Sequence, residues 1–299
     1  MTAIAGLISL NKQPIEGGAS RVEEMLELMR HRGPDSIGVR LLPEGTAALG
    51  AAAINLSTAR TQCVSIATAP YIVFDGELFN GRAEGQTDLE VFQECYQKYG
   101  KNCFKHLDGS YACAVIDGDE AFIARDHVGA RPVFYGTENG LFCFSSEMKG
   151  IMGDIRFDIH ELEPGHLYST KHGLLPFDAF VPETPEAENL EQATTVVRDL
   201  LVKAVEKRME GLNAISLSGG LDSSIVAAIA KQYNPDIHLF TGTIESADAP
   251  DLPNAILMAK FLGQEHHIYR ITDEDIVDFI PDAVWYLSLI HISEPTRPY

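Results

Sequence analysis

The sequence predicts two domains of different class: an α+β domain of short strands and two helices over residues 1–180, and the opening of an α/β domain with a parallel sheet over residues 190–287. Three observations carry this. Short apolar runs separated by turn residues fill the first part of the chain. A stretch dense in proline and acidic residues follows at 181–189 and suits a linker. Beyond it, segments of helix and strand length alternate, which is the pattern of a parallel sheet.

Taken in order, the apolar runs at 4–10, 47–56, 71–74, 111–116, 121–124, 133–135 and 141–144 have strand length. Asp117-Gly118 and Asn139-Gly140 supply the positive φ angles of tight hairpins. A helix is expected from Ser20, where Glu23 completes a capping box and Val22, Met25, Leu26 and Met29 share one face. A second is expected from Thr87 with Glu90. Its stripe is Phe92, Cys95, Tyr96 and Tyr99, and Gly100 stands at its C-cap. After the linker comes a helix over 190–209, expected to bury Ala193, Val196, Val197, Leu200, Leu201, Ala204 and Val205. Strands at 214–217, 237–241 and 267–271 then alternate with helices at 222–233, 252–262 and 273–287. Ligands of open parallel sheets bind beyond the carboxyl ends of the strands.

Composition narrows the function. A net charge of −20 excludes a nucleic-acid partner, because a phosphate backbone would be repelled. No apolar run reaches the roughly 18–20 residues of a membrane span, and the N-terminus has no secretory pattern. The five cysteines, Cys63, Cys95, Cys103, Cys113 and Cys143, have no metal-type spacing and suit a reducing, cytoplasmic compartment.

The most informative motif is Ser218-Gly219-Gly220-Leu221-Asp222-Ser223-Ser224, between a predicted strand and a predicted helix. Glycines let the backbone approach an anion, and the helix start offers unpaired N–H groups and the positive end of its dipole. Ser218, Ser223 and Ser224 add hydroxyl donors. Asp222 suits a phosphate only with Mg²⁺ between them. The lysine of the Walker loop is missing.

This loop closely resembles the pyrophosphate loop of ATP pyrophosphatases in its asparagine synthetase version, and residues 240–271 resemble the segment that follows it there. In the first domain, His31-Arg32-Gly33-Pro34-Asp35, Asp75-Gly76-Glu77-Leu78-Phe79-Asn80, the stretch from Arg125 to Pro132, and Ser146-Glu147-Met148-Lys149 resemble the class II glutaminase domain of the same enzymes, in the same order. The resemblance implies an N-terminal-nucleophile αββα domain followed by an incomplete ATP-pyrophosphatase sheet of Rossmann-like type. It implies amidation of aspartate through an acyl-adenylate, with ATP and Mg²⁺ as cofactors, ammonia or glutamine as donor, and a possible homodimer. Leu217, Ser218–Ser224 and Gly242 would hold ATP and pyrophosphate, with Asp222 on Mg²⁺. Arg125 and Asp126 are read as a turn held by a charge pair, and His31 by itself as a helix-end cation.

Departures from the family pattern fall in the glutaminase site. The family nucleophile is a cysteine freed by removal of Met1, with its own α-amine as base; here the residue is Thr2. Ala53 stands where the family has the arginine that clamps the glutamine carboxylate, and Asp75 where it has an oxyanion-binding asparagine. Gly76, Glu77 and Asp88 match, Asp88 being the family's partner for the substrate ammonium. The expectation is a glutaminase half that does not work, with ammonia as donor. A β-lactam-synthetase-like enzyme and a non-catalytic glutaminase-like scaffold are the alternative readings. The resemblance stops near Leu287, before the family's second ATP motif, so the chain is read as truncated and unable to form an acyl-adenylate. Residues 288–299, SLIHISEPTRPY, resemble a translated adapter read-through and are read as an artefactual tail.

Overall fold

The computed structural model describes residues 2–54, 64–65, 69–81, 83, 85–153, 158–177, 189–246 and 249–286. Residues 181–188 of the expected linker at 181–189, Cys63 and the expected tail lie outside the described residues. Two compact units divide the chain, residues 1–181 with 286–299, and residues 182–285.

The first unit holds two six-stranded antiparallel sheets. One contains β1 (Ala3–Ser9), β2 (Ser36–Leu41), β3 (Ala47–Ala53), β8 (Phe134–Glu138), β9 (Leu141–Ser145) and β10 (Asp158–Glu161), in the order β10-β8-β9-β1-β3-β2. The other contains β4 (Val64–Ser65), β5 (Tyr71–Leu78), β6 (Gly109–Asp117), β7 (Glu120–Arg125), β11 (His166–Ser169) and β12 (Gly173–Pro176), in the order β12-β11-β7-β6-β5-β4. Ile4, Leu49, Val73, Ala114, Ile123 and Phe144 fill the space between the sheets. Strand alternation turns Ala3, Ala5 and Leu7 outward, where Val22, Leu26 and Met29 of α1 (Gly18–Glu27) cover them. On the far side, Phe92 of α2 (Asp88–Tyr99) packs on Phe74, ring centroids 5.7 Å apart, and on the buried Tyr111 cluster. The layers are therefore helix, sheet, sheet, helix, as expected.

Local signals hold unevenly. The Thr87–Glu90 capping box closes in both directions. The Asn139-Gly140 turn joins Glu138 to Leu141 with φ of 50° and 77°. The other hairpin turns one residue later than expected: Asp117 pairs with Glu120, so Gly118-Asp119 is the loop. Helix α1 also starts earlier than Ser20. Gly17 takes a left-handed φ of 62°, and the Gly18 N–H donates to the Ile15 carbonyl, so the Ser20–Glu23 box is not used.

The second unit is a parallel sheet in the order β13-β14-β15, formed by Ala214–Ser216, His238–Ile244 and His266–Ile271. Helices α3 (Leu190–Glu206), α4 (Leu221–Tyr233), α5 (Leu252–Leu262) and α6 (Asp273–Tyr286) alternate with the strands. Ile215, Leu217, Ala227, Leu239, Ala255 and Ala259 form its core. Of the seven α3 residues expected to be buried, only Val205 is; Val197 and Leu200 are 54% and 58% exposed. Apolar periodicity identifies a face but not whether anything covers it.

Candidate functional site

The chemistry-bearing residues fall into two groups, one in each unit. In the first, Thr2 enters β1, and the pairing of Ala3 with Ala52 sets it beside Ala53 at the end of β3. Asp75 lies in β5 of the other sheet. The Thr2 N–H donates to Asp75 Oδ1 at 3.1 Å. Arg32 spans the same point: its Nε donates to the Thr2 carbonyl at 3.0 Å and its Nη2 to Asp75 Oδ2 at 2.9 Å. Arg32 Nη1 lies 3.4 Å from Glu147 Oε1, and Glu147 also meets His31 Nε2 at 3.0 Å and Lys149 Nζ at 2.9 Å. Arg32, Asp75 and Glu147 are all buried.

Asp75 is therefore not the bare, repelling carboxylate that the sequence suggests. A guanidinium and a backbone donor already satisfy both its oxygens, and its charge is matched. Glu77 and Gly76 follow it in β5. Asp88 opens α2 and accepts the Leu78 N–H at 3.0 Å, tying the helix start to the end of the strand. Sequence reasoning missed Arg32 and Glu147 as members of this network. Their signal was the pair of motifs HRGPD and SEMK, each carrying an ionisable residue beside a turn: Arg32 in the turn before β2 and Glu147 just after β9.

Two further readings are corrected. Arg125 and Asp126 do not pair with each other in the structure. Asp126 accepts the N–H groups of Tyr111, Val128, Ala130 and Arg131, while Arg125 binds Glu161 and the carbonyls of Leu162 and Gly129. His31 is not a helix-end cation. Burial outweighs the attraction of Glu147 and holds its pKa below the ordinary 6.5. Above that pH the ring is neutral whether the chain is folded or not. As the pH falls through it, the unfolded chain takes the proton first, so the native state loses stability. His31→Gln is expected to flatten this dependence between about pH 7 and pH 5. Denaturant titrations of both proteins across that range check it; parallel profiles would exclude His31 as the cause.

The four described cysteines are poor nucleophiles, and partial burial pushes even the Cys95 thiol up. Cys103 and Cys113 are buried with thiols pushed far up by desolvation, and Cys143 is pushed up to about 12 by the same cause.

In the second unit, Leu217 directly follows β13 and is buried; its N–H donates to the Phe240 carbonyl, and its own carbonyl accepts from Thr241 Oγ1. The loop then turns on Gly219 at φ 89°. A Cβ there would lie 2.2 Å from the Asp251 carbonyl oxygen and 2.8 Å from the Ala255 nitrogen, so the turn packs directly against the start of α5. Ser218 Oγ bonds Ser223 Oγ at 2.9 Å and accepts the Gly220 N–H, while Ser224 Oγ donates to the Gly220 carbonyl. Helix α4 begins with Gly220 as N-cap and no side chain capping it. Its first N–H groups therefore receive no side-chain cap. Asp222 stands exposed in that first turn. At the same end of the sheet a cavity of about 470 Å³ is lined by Thr243, Ile244, Glu245, Leu252, Pro253 and Arg270. Gly242 lies in β14 just before it, with nothing but Ile271 Cδ1 near its Cβ position.

A glutamine amidotransferase domain family matches residues 1–172, and an asparagine synthase family matches residues 196–297. The chain is 29% identical over 307 aligned residues to asparagine synthetase [glutamine-hydrolyzing] 2 of Arabidopsis thaliana, covering 92% of this chain and 52% of that protein. Against asparagine synthetase [glutamine-hydrolyzing] of Zea mays it is 31% identical, covering 92% and 51%. The chain thus spans about half the length of the curated relatives it matches. Glutamine phosphoribosylpyrophosphate amidotransferase from B. subtilis, complexed with ADP and GMP, superimposes with a TM-score of 0.47 and 15% identity, over 89% of this chain and 65% of that one. No helix among the described residues is long and apolar enough to cross a membrane.

Proposed function

The chain belongs to the asparagine synthetase (glutamine-hydrolysing) family, and from that premise we propose that it carries the ATP-handling and glutaminase-derived parts of an enzyme that amidates aspartate, with ammonia as the amide donor. The observation that carries the ligase reading is the loop from Ser218 to Ser224. Its glycine turn, serine hydroxyls and uncapped helix start sit at the carboxyl end of a parallel strand. Such a site binds the phosphates of ATP, with Mg²⁺ held by Asp222, while the neighbouring cavity and Gly242 leave room for the nucleoside. The residues present fit that group: they offer backbone donors to the phosphates and one carboxylate to the metal.

The donor preference follows from the first unit. Removal of Met1 would turn the Thr2 nitrogen into an α-amine, the base that an N-terminal nucleophile needs. That nitrogen already faces Asp75 Oδ1 at 3.1 Å. Asp75 and Arg32 hold that nitrogen and the Thr2 carbonyl in one buried network, which turns the nitrogen to Asp75 and not to the Thr2 hydroxyl. Ala53 offers no fork for a glutamine carboxylate. Gly76, Glu77 and Asp88 keep the geometry of the site without its reactive parts.

Synthesis is tested on a protein carrying the full length of the relatives, by aspartate-dependent release of AMP and pyrophosphate with ammonia or with glutamine. Ammonia is expected to support turnover. Glutamine is expected to give roughly 10²-fold less or worse, the scale of one lost oxyanion donor. Glutamate release matching asparagine formation would show Thr2 working as a nucleophile. Absence of AMP with either donor would remove the ligase reading itself.

A further inference from the structure

We propose that His238, Glu265 and His267 form a site for one divalent transition-metal ion of the zinc class, on the second unit and away from the phosphate loop. His238 opens β14, Glu265 directly precedes β15, and His267 is the second residue of β15. The sheet is parallel, so all three stand at the amino ends of their strands, whereas the loop from Ser218 follows the carboxyl end of β13. The site is therefore at the opposite end of the sheet from the nucleotide chemistry and does not depend on it.

Its geometry is that of a coordination shell. His238 Nδ1 lies 3.2 Å from His267 Nε2 and 3.3 Å from Glu265 Oε2, and His267 Nε2 lies 3.5 Å from Glu265 Oε1. Bonds of about 2.0–2.1 Å to a tetrahedral zinc ion put neighbouring donor atoms about 3.3–3.4 Å apart. The two imidazole contacts fall on different oxygens of Glu265, and with one donor atom from each residue all three lie within 4.8 Å of one another, so a small rotation of the carboxylate closes them into one tetrahedral face. Hydrogen bonding alone satisfies this cluster poorly. If one ring nitrogen donates to the other, the accepting nitrogen turns its lone pair toward a carboxylate oxygen. A cation at the centre is attractive to all three donors at once.

Two features hold the donors in place. The register pairs Phe240 with His267, so alternation puts His238, Phe240 and His267 on the same face of the sheet. The Phe240 ring stacks on His267 with centroids 4.6 Å apart and planes 18° from parallel, which fixes the imidazole orientation. The donors are half-exposed, so an ion can enter and a water can take the fourth position. Two imidazoles and one carboxylate suit Zn²⁺ better than Mg²⁺ or Ca²⁺, which take oxygen ligands.

The test is titration of the untagged 299-residue chain with Zn²⁺ by calorimetry, and with Co²⁺ by visible absorption. One equivalent is expected to bind, with the intense visible bands of tetrahedral Co²⁺. His267→Ala and Glu265→Gln are each expected to lower the affinity at least ~10-fold, as loss of a ligand or its support does. His266→Ala is expected to leave it unchanged, because that ring faces Thr241 Oγ1 at 2.8 Å and not the cluster. Circular dichroism confirms that each variant is folded; should His267→Ala not fold, His238→Gln replaces it. Stoichiometric binding that survives in the His267 or His238 variant and in Glu265→Gln would overturn the proposal. So would the lack of any Zn²⁺ binding by the parent chain at micromolar concentration.

Discussion

Arg32→Ala is expected to destabilise the first unit by roughly 3–5 kcal/mol, the cost of removing one partner from a buried ion pair. The guanidinium bonds the Thr2 carbonyl and Asp75 and lies beside Glu147, with all three charged groups buried. Removing it leaves the buried Asp75 without its counter-charge, while Glu147 keeps Lys149 at 2.9 Å. Total stability of a domain is about 5–15 kcal/mol, so a loss of this size takes a large part of it. Equilibrium urea unfolding, followed by the tertiary signal of the tyrosines and phenylalanines in this unit, measures the change. A loss below about 1 kcal/mol, typical of an exposed pair, would show that the network adds little. Asp75→Asn is the informative companion. It restores the amide of the family's oxyanion site but withdraws the charge that meets Arg32. Its cost is expected to be smaller than that of Arg32→Ala, because Glu147 remains within 3.4 Å of the guanidinium. Rebuilding a glutaminase from this chain therefore starts with a loss of stability, and Thr2→Cys with Ala53→Arg will not relieve it.

Gly219→Ala is expected to abolish pyrophosphate–Mg²⁺ binding by the second unit, a loss of ~100-fold or more. A methyl group 2.2 Å from the Asp251 oxygen must push the loop off α5. The positive φ of 89° adds about 1–2 kcal/mol of strain for any residue with a Cβ. Both effects act on the turn that aims the helix N–H groups. Gly220→Ala is the contrast, since its Cβ would meet only Ser218 Oγ at 3.3 Å; this variant is expected to fold and to lose less affinity. Asp222→Asn separates metal from anion. The side chain is exposed, so stability should stay within about 0.5 kcal/mol. Affinity should fall for pyrophosphate with Mg²⁺ and not for pyrophosphate alone, because the lost carboxylate only repelled the bare anion. Calorimetric titration of the three variants with each ligand reads all of this. Equal affinities in Gly219→Ala and the parent would mean that the loop is a turn without a ligand.

The sequence by itself determined most of the secondary structure that depends on local chemistry. Thr87 and Glu90 cap α2 because the two residues satisfy each other's backbone donors within one turn. Asn139-Gly140 turns because both residues tolerate positive φ, and Gly263 ends α5 in the left-handed conformation for the same reason. The alternation beyond Asn189 gave a parallel sheet, and the seven-residue loop fell where a strand meets a helix. Strands β2, β4, β10, β11 and β12 were not legible as apolar runs. They lie at or near sheet edges, and β2 and β10 are largely exposed, so the pairing partner and not the side-chain pattern makes them strands. Helix α3 failed in the other sense: its stripe was legible, yet the structure buries only Val205 of it.

Only the tertiary structure decided the state of the charges. In sequence, Asp75 was a negative residue at an oxyanion position, His31 a cation, and Arg125–Asp126 a pair. In space, Asp75 is matched by Arg32, 43 residues away, and Glu147 joins them from 115 residues away. Burial holds the His31 pKa below its ordinary value, and Asp126 spends its carboxylate on backbone N–H groups while Arg125 goes to Glu161. His238 and His267 stand 29 residues apart and meet only because β14 and β15 run side by side. Caps and turns are closed by bonds between near neighbours, so a short window of sequence contains their cause. The energy of a charge depends on whatever group the fold brings within a few ångströms and on how much water it removes, and neither quantity exists until distant strands have paired.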